Sequence, residues 1–262
     1  MLRVVKDLKD YGILATDGPI GQVVDVLMDD RFWTLRYFVV DTGTWLSGRK
    51  VLISPLAVGQ PDWAAQQLPV TLSKERVEGS PEVNTENPVL RQHETEQLSY
   101  YGYPLYWEAG GLSGVAAVDG VPVAELSPLP AVEERVDTHL RSANAVEGYQ
   151  IVAIDGELGH VSNFLVDDQT WAIRYFVVNT SNWWVGHKVL IAPQWVDRVS
   201  WEESTVTLDL TREAIQNAPP YDAEALFERQ QEQAMYEHYG RPKYWAETSA
   251  LPQSQRVTDD RD

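Results

Sequence analysis

Apolar and polar positions alternate in short runs along the first part of the chain. Ile13-Leu14-Ala15-Thr16 leads into Asp17-Gly18, a hairpin signal because glycine accepts the positive φ of a type I′ turn. Gly21 to Met28 reads as a second strand, and Asp29-Asp30-Arg31 turns the chain. Trp33 to Val40, rich in aromatic and β-branched residues, is a third. A loop from Thr42 to Gly48 precedes a fourth strand, Lys50 to Ile53, stopped at Pro55, and Leu68 to Leu72 supplies a fifth. Short strands joined by tight turns predict a small antiparallel barrel, a closure that removes exposed edges.

The same pattern recurs 138 residues later. Trp33-Thr34-Leu35-Arg36-Tyr37-Phe38-Val39-Val40 is matched by Trp171-Ala172-Ile173-Arg174-Tyr175-Phe176-Val177-Val178, and the offset runs without a gap from Leu2/Leu140 to Trp107/Trp245. Between Ile13 and Pro55 about half of the paired positions are identical. A tandem duplication accounts for this, with repeats at 2–107 and 140–245. The segment between them, 108–139, is rich in Gly, Pro and acidic residues and is expected to be a flexible linker. Residues 246–262 are expected to form a disordered tail.

Each repeat ends in a helical stretch. Asp222 is placed to cap a helix from Ala223 to Tyr239, stopped by Gly240 and Pro242. Asn87-Pro88 plays the same part in the first repeat, with Gly102 and Pro104 as the stop. Both helices run into aromatic tails that include Tyr106-Trp107 and Tyr244-Trp245. Such a cluster packs on its own barrel, crosses to the other one, or stays a sticky patch. Gapless repeats would also let the halves pack as a pseudo-two-fold pair, each tail covering the other barrel.

The series Asp17-Gly18, Gly21, Trp33, Arg36-Tyr37-Phe38-Val39-Val40 and Lys50-Val51-Leu52-Ile53-Ser54-Pro55 resembles the PRC-barrel domain. The second copy is closer still, through Asp155-Gly156-Glu157-Leu158-Gly159-His160-Val161, Asp167-Asp168 and Thr170 to Tyr175. The whole is similar to bacterial tandem PRC-barrel proteins, and the family includes the barrel of the photosynthetic reaction centre H subunit. The resemblance implies two small barrels in tandem, each with a carboxy-terminal helix, acting as a scaffold that docks on other macromolecules. It also implies, as an alternative, an accessory to photosynthetic or membrane electron-transfer complexes through peripheral contact.

Charge narrows the partners. The chain has 262 residues and a formal net charge of −18, which disfavours nucleic-acid backbones and anionic membrane surfaces. It contains no cysteine, so thiolate metal sites and cysteine nucleophiles are excluded. The opening residues lack the apolar core of a signal peptide and no run is long enough to span a bilayer, so a cytoplasmic location without membrane insertion is expected.

Two copies of one activity should share their reactive residues, and the five histidines are all unpaired at this offset. His160 with His187 is the one plausible metal duo, and both read better as surface residues. Asp17/Asp155, Asp29/Asp167 and Asp30/Asp168 are paired, but Asp-Asp between strands is what a turn favours, ahead of a calcium or magnesium site. Arg36/Arg174 are expected to meet a carboxylate such as Asp25 or Asp29, and Trp63/Trp201 to belong to the core. No catalytic group, cofactor or metal is expected. The candidate partner surface consists of Trp45, Lys50, Trp183, Trp184 and Lys188 around the loops, with Tyr106, Trp107, Tyr244 and Trp245 in the tails. A protein partner or self-association follows from it, with tryptophan as the anchor unless it plugs the barrel end.

Overall fold

The computed structural model describes residues 1–82, 89–107, 139–180, 187–223 and 227–245. In the first half, β1 (Leu2–Val4), β2 (Gly12–Ala15), β3 (Gly18–Asp29), β4 (Thr34–Asp41), β5 (Lys50–Ile53) and β6 (Gln67–Pro69) precede α1 (Lys74–Glu78) and α2 (Arg91–Tyr101). The second half opens with β7 (Leu140–Ser142), a helical turn α3 (Ala143–Val146) and β8 (Gln150–Ala153). It continues through β9 (Gly156–Asp167), β10 (Ile173–Asn179), β11 (Lys188–Ile191), β12 (Val196–Ser200) and β13 (Thr205–Leu208) to α4 (Arg212–Gln216) and α5 (Arg229–Tyr239). The protein is mainly β with few helices.

Its strands form two sheets among the described residues, ordered β5-β4-β3-β2-β6 and β11-β10-β9-β8-β13-β12. Neighbours are antiparallel except β2 with β6 and β8 with β13. Neither hydrogen-bonded path closes on itself, so the ladders are open where closed barrels were expected. Each long strand carries bulges, seen as register shifts at Val23/Asp25 and Leu27/Met28 in the β3–β4 pair. The bends let the first part of β3 pair with β2 while its last residues reach a different neighbour.

That neighbour belongs to the other half. β7 lies on β3, with Leu140 opposite Asp29 and Ser142 opposite Leu27. Reciprocally, β1 lies on β9, with Leu2 opposite Asp167 and Val4 opposite Leu165. Each pairing is the other displaced by 138 residues. The halves meet again where Thr34 bridges Ala172, flanked by bonds from Leu35 N to Trp171 O (2.8 Å) and Ile173 N to Trp33 O (2.7 Å). Thr34 and Ala172 are themselves equivalent positions, so a pseudo-two-fold axis passes between them. Trp33 meets Phe176 edge-on at 4.8 Å, and Trp171 meets Phe38 at 5.2 Å. Both tryptophans hold positive φ, 49° and 57°, which costs an L-residue about 1–2 kcal/mol. The ring contact across the axis offsets that cost.

The continuous run Tyr37-Phe38-Val39-Val40 has a simple cause. Phe38 and Val40 face one hydrophobic core that spans both halves, while Tyr37 and Val39 point the other way beneath α2. A strand buried on both faces needs no polar alternation. Gly21 and Gly159 are fixed by close approach: a Cβ there would sit 2.0 Å from the carbonyl oxygen of Asp41 or Asn179.

Several local expectations change. The turn after β2 is not type I′, because Gly18 (φ 138°) has a positive φ and Asp17 does not; Gly156 repeats this at 137°. Asp17 instead accepts from Lys74 N at 2.8 Å, and Asp155 from Arg212 N at 2.8 Å, each holding the first turn of α1 or α4. Helix α5 starts at Arg229 and not at Ala223. Its cap is Glu228, whose backbone N–H is met by Gln231 Oε1 at 2.7 Å, a capping box in place of Asp222. Helix α2 starts at Arg91, and the Asn87-Pro88 pair lies outside the described residues. Gly102 and Gly240 end the two helices in the left-handed region, as anticipated.

The tails do not cross. α2 and Tyr106 lie on Tyr37 and Arg36 of their own sheet, and α5 and Tyr244 on Tyr175 and Arg174. What the halves exchange is their first strand. The expected linker, apart from His139, and the expected tail from 246 lie outside the described residues; His139 itself is buried.

Replacing Trp171 by alanine is expected to cost about 3–5 kcal/mol in urea unfolding, since it strips Phe38 of its edge partner across the axis. Trp171→Gly should cost less than Trp171→Ala despite its smaller side chain, because glycine is unstrained at φ 57°. Alanine proving the milder change would show that the backbone there is not constrained.

Candidate functional site

The most polar buried assembly in the first half surrounds Glu94 on the inner face of α2. Glu94 is fully buried, and its Oε1 accepts from Tyr106 Oη at 2.7 Å and Tyr37 Oη at 3.2 Å. Its Oε2 lies 2.9 Å from His139 Nε2 and 3.6 Å from Arg91. Tyr106 Oη also meets His139 Nε2 at 2.8 Å. Above Tyr106 the Arg36 guanidinium stacks at 3.6 Å, and Arg36 Nε is 3.7 Å from Asp29 Oδ2. Arg91 extends the stack over Trp107 at 4.1 Å.

The second half repeats this arrangement around Glu232. Tyr175 Oη donates at 2.7 Å, Tyr244 Oη at 3.0 Å, and Arg229 pairs at 2.7 Å. Arg174 stacks on Tyr244 at 4.1 Å and Arg229 on Trp245 at 4.4 Å. The two sites differ at His139 and at Tyr236, whose equivalent position in the first half is Leu98. His139, whose equivalent position is Met1, reaches Glu94 only because the first strand of the second half lies on the first sheet. A buried carboxylate without compensation would cost several kcal/mol, and these phenols and guanidinium groups supply it.

The phenols record that environment. Burial, followed by the neighbouring Glu94 carboxylate, pushes Tyr37 well above its ordinary range, and Tyr106 is raised for the same reasons. Burial pushes Tyr236 up to about 12, and burial with Glu232 brings Tyr244 to about 12. Such groups are hydrogen-bond donors, not bases, at neutral pH. The arrangement can hold helices on sheets; it offers no exposed nucleophile or general base.

Residues 139–215 match the PRC-barrel domain. No curated protein matches the chain. The PRC-barrel segment begins at His139 and stops within α4, so it contains Arg174 and Tyr175 but neither Glu232 nor Tyr244. The helix that closes the second polar cluster therefore lies beyond the PRC-barrel match.

The paired aspartates are likewise structural. Asp29 Oδ1 accepts from the N–H groups of Arg31 (2.8 Å) and Phe32 (3.0 Å), and Asp167 Oδ1 from Gln169 (3.0 Å) and Thr170 (2.9 Å). Burial would raise Asp167, but the N–H bonds from Thr170 and Gln169 outweigh it and hold the carboxyl below its usual value. Asp30 pairs with Arg141 at 2.9 Å and Asp168 with Arg3 at 3.3 Å, both across the halves. Those arginines also stack on Trp63 and Trp201, each at 4.2 Å, which puts these tryptophans half-buried at the rim of the core. No group of three or more possible metal-ligating carboxylates and histidines occurs among the described residues. His160 pairs with Asn179, and the His187 carbonyl accepts from Thr180 N at 3.2 Å.

Among the described residues, the expected partner residues do not form one surface. Trp45 is half-buried beyond the end of β4, with the Lys74 ammonium 4.6 Å over its ring. Tyr106 and Trp107 sit at the opposite end of β4, over Arg36 and Arg91. Lys50 and Lys188 are exposed at the starts of β5 and β11. Trp183 and Trp184 lie outside the described residues. Glu94 and Glu232 escaped the sequence reading although the 138-residue offset pairs them as it pairs the aspartates. The usable signal was a glutamate on the same helical stretch in both halves, twelve residues ahead of a tail tyrosine.

A cleft of about 150 Å³ lies between the halves. Its polar lining comes in equivalent pairs, Lys6/Asn144, Lys9/Glu147 and Asp25/Asn163, so it straddles the pseudo-two-fold axis. Asp25 accepts from Ser142 Oγ and from Asn144 N (3.3 Å), while Asn163 accepts from Lys6 N (3.2 Å). Each half thereby caps the helical turn that follows the strand donated by the other.

The raised phenols give a directional pH test. Tyr236 ionises near pH 10 when unfolded and near 12 when folded, so its contribution to stability is complete below pH 10 and is lost as pH rises towards 12. Tyr236→Phe should therefore lose less stability than the parent between pH 10 and 12, read from urea midpoints across that range. Parallel curves for the two proteins would contradict it.

Proposed function

We propose that the protein is a non-catalytic interaction scaffold built from two PRC-type barrels related by tandem duplication, holding a protein partner or a second copy of itself. The observation that carries this reading is the fate of the repeated side chains. The repeated carboxylates Asp29/Asp167, Asp30/Asp168 and Glu94/Glu232 accept hydrogen bonds or ion pairs that hold the fold. The repeated aromatics Tyr106/Tyr244 and Trp107/Trp245 remain partly exposed, each beside a guanidinium, as does Trp45 beside Lys74. Aromatic and arginine side chains at the surface are the usual anchors of a protein interface. Two equivalent surfaces on one chain gain avidity through effective concentration. Enzymatic activity is no part of this reading.

Affinity capture with the full-length protein tests it, run beside Trp45→Ala/Trp183→Ala and Trp107→Ala/Trp245→Ala baits. A partner held by the native bait and lost with one pair of substitutions is expected, and it locates the docking end. Identical recoveries from all three baits would count against both aromatic surfaces.

A further inference from the structure

We propose that this chain exchanges halves with a second copy of itself, forming a closed dimer in which the first half of each chain seats on the second half of the other. The proposal stands apart from the scaffold reading, which concerns outer surfaces, because it concerns the contact between the halves. Four observations carry it. The contact is reciprocal in its strand pairing, its arginine–aspartate pairs and its axial rings: β1 on β9 mirrors β7 on β3, Arg3–Asp168 mirrors Arg141–Asp30, and Trp33–Phe176 mirrors Trp171–Phe38. Contact of residue i with j, matched by j with i, is the signature of a two-fold association between separate subunits. In one chain the same contact can form within a molecule or between two, with identical bonds in either case.

The exchanged piece is also not optional. The last residues of β3 pair with β4 on one side and β7 on the other, so a first half without a partner presents an open edge at Leu27–Asp29. An equivalent edge at Leu165–Asp167 awaits β1. The connection allows the exchange by length alone: residues 108–138 can extend about 100 Å at 3.3 Å per residue. Finally, charge biases which halves pair. Lys6 Nζ lies 3.0 Å from Glu147 Oε1 across the contact. Two first halves together would set Lys6 against Lys9, the equivalent of Glu147, in place of this ion pair. That favours exchange of first half with second half.

Mass action sets when it occurs. The tether gives the intramolecular contact an effective concentration on the order of millimolar, so dilute folding yields monomer and concentrated folding yields dimer. The ratio of dimer to monomer should rise about tenfold for each tenfold rise in free monomer.

The absence of cysteine makes a clean test possible. Thr34 and Ala172 face each other in an antiparallel bridge flanked by hydrogen bonds, a non-hydrogen-bonded pair whose Cα atoms approach within disulfide range. Full-length Thr34→Cys and full-length Ala172→Cys are unfolded in urea, mixed, refolded together at high and low protein concentration, and oxidised with glutathione disulfide. The chain carrying both substitutions is the geometric control and should close an internal disulfide. A covalent two-chain species joining the two single variants, its yield rising with refolding concentration, is expected. No such species at any concentration, with the control closing normally, would overturn the proposal. A covalent dimer of Thr34→Cys with itself, at a yield matching the mixed pair, would also overturn it, because first halves would then pair without regard to charge. Should the control fail to close, light scattering on the unmodified protein decides: a dimer formed on concentrated refolding but not on concentrating the folded monomer supports the exchange, and monomer throughout, or a dimer formed equally from folded monomer, refutes it.

Discussion

Three residues at the start of each half complete the sheet of the other, and the remaining contacts are arranged around that exchange. β7 on β3 brings His139 beneath α2 and Arg141 to Asp30; β1 on β9 brings Arg3 to Asp168. The tryptophans at the axis then adopt a backbone conformation that an isolated half would have no reason to keep. A sheet edge is a row of unsatisfied donors and acceptors. Closing it with the neighbour's strand makes the two halves a single cooperative object with one shared core.

Polar burial follows the same logic. Glu94 and Glu232 sit where α2 and α5 meet the outer faces of β4 and β10, a location otherwise filled by Tyr, Val and Leu side chains. Carboxylates there add no hydrophobic stabilisation and have to be matched by phenols and arginines. What they supply is direction: the helix has to seat where Glu94 meets both Tyr37 and Tyr106. In the first half His139 joins them, so the seating of α2 also reports whether the second half's strand is in place. These buried carboxylates thus fasten helix to sheet, and the match to the PRC-barrel domain ends before the second fastener is complete.

The strand content was readable because it rests on local patterning. Lys50–Ile53 begins and ends where its β-branched run does, and Gly102 and Gly240 stop their helices by a property of glycine alone. The exchange was not readable. Leu2-Arg3-Val4 is too short for alternation to show, and nothing in three residues says which sheet they join. Helix starts were misplaced because Asp222 and Asn87-Pro88 are good caps in isolation, whereas Glu228 is chosen by where Tyr175 and Arg174 await the helix. Tail crossing was a fair inference from symmetry applied to the wrong element. Glu94 and Glu232 were visible as a pair, yet a glutamate amid polar helix residues gives no hint of burial until the helix's facing strand is known.

The edge of β3 has a consequence for how the chain is made. Synthesis proceeds from the amino terminus at about 5–20 residues per second, so Leu27–Asp29 leave the ribosome on the order of ten seconds before Ser142 can cover them. During that interval the first sheet has an uncapped side, the kind of surface on which nascent chains of one polysome could stick together. Asp25, Asp29 and Asp30 cluster along that stretch, and until Ser142 and Arg141 arrive two of them lack these partners. That edge then receives the one strand that carries a hydroxyl for Asp25 and a guanidinium for Asp30.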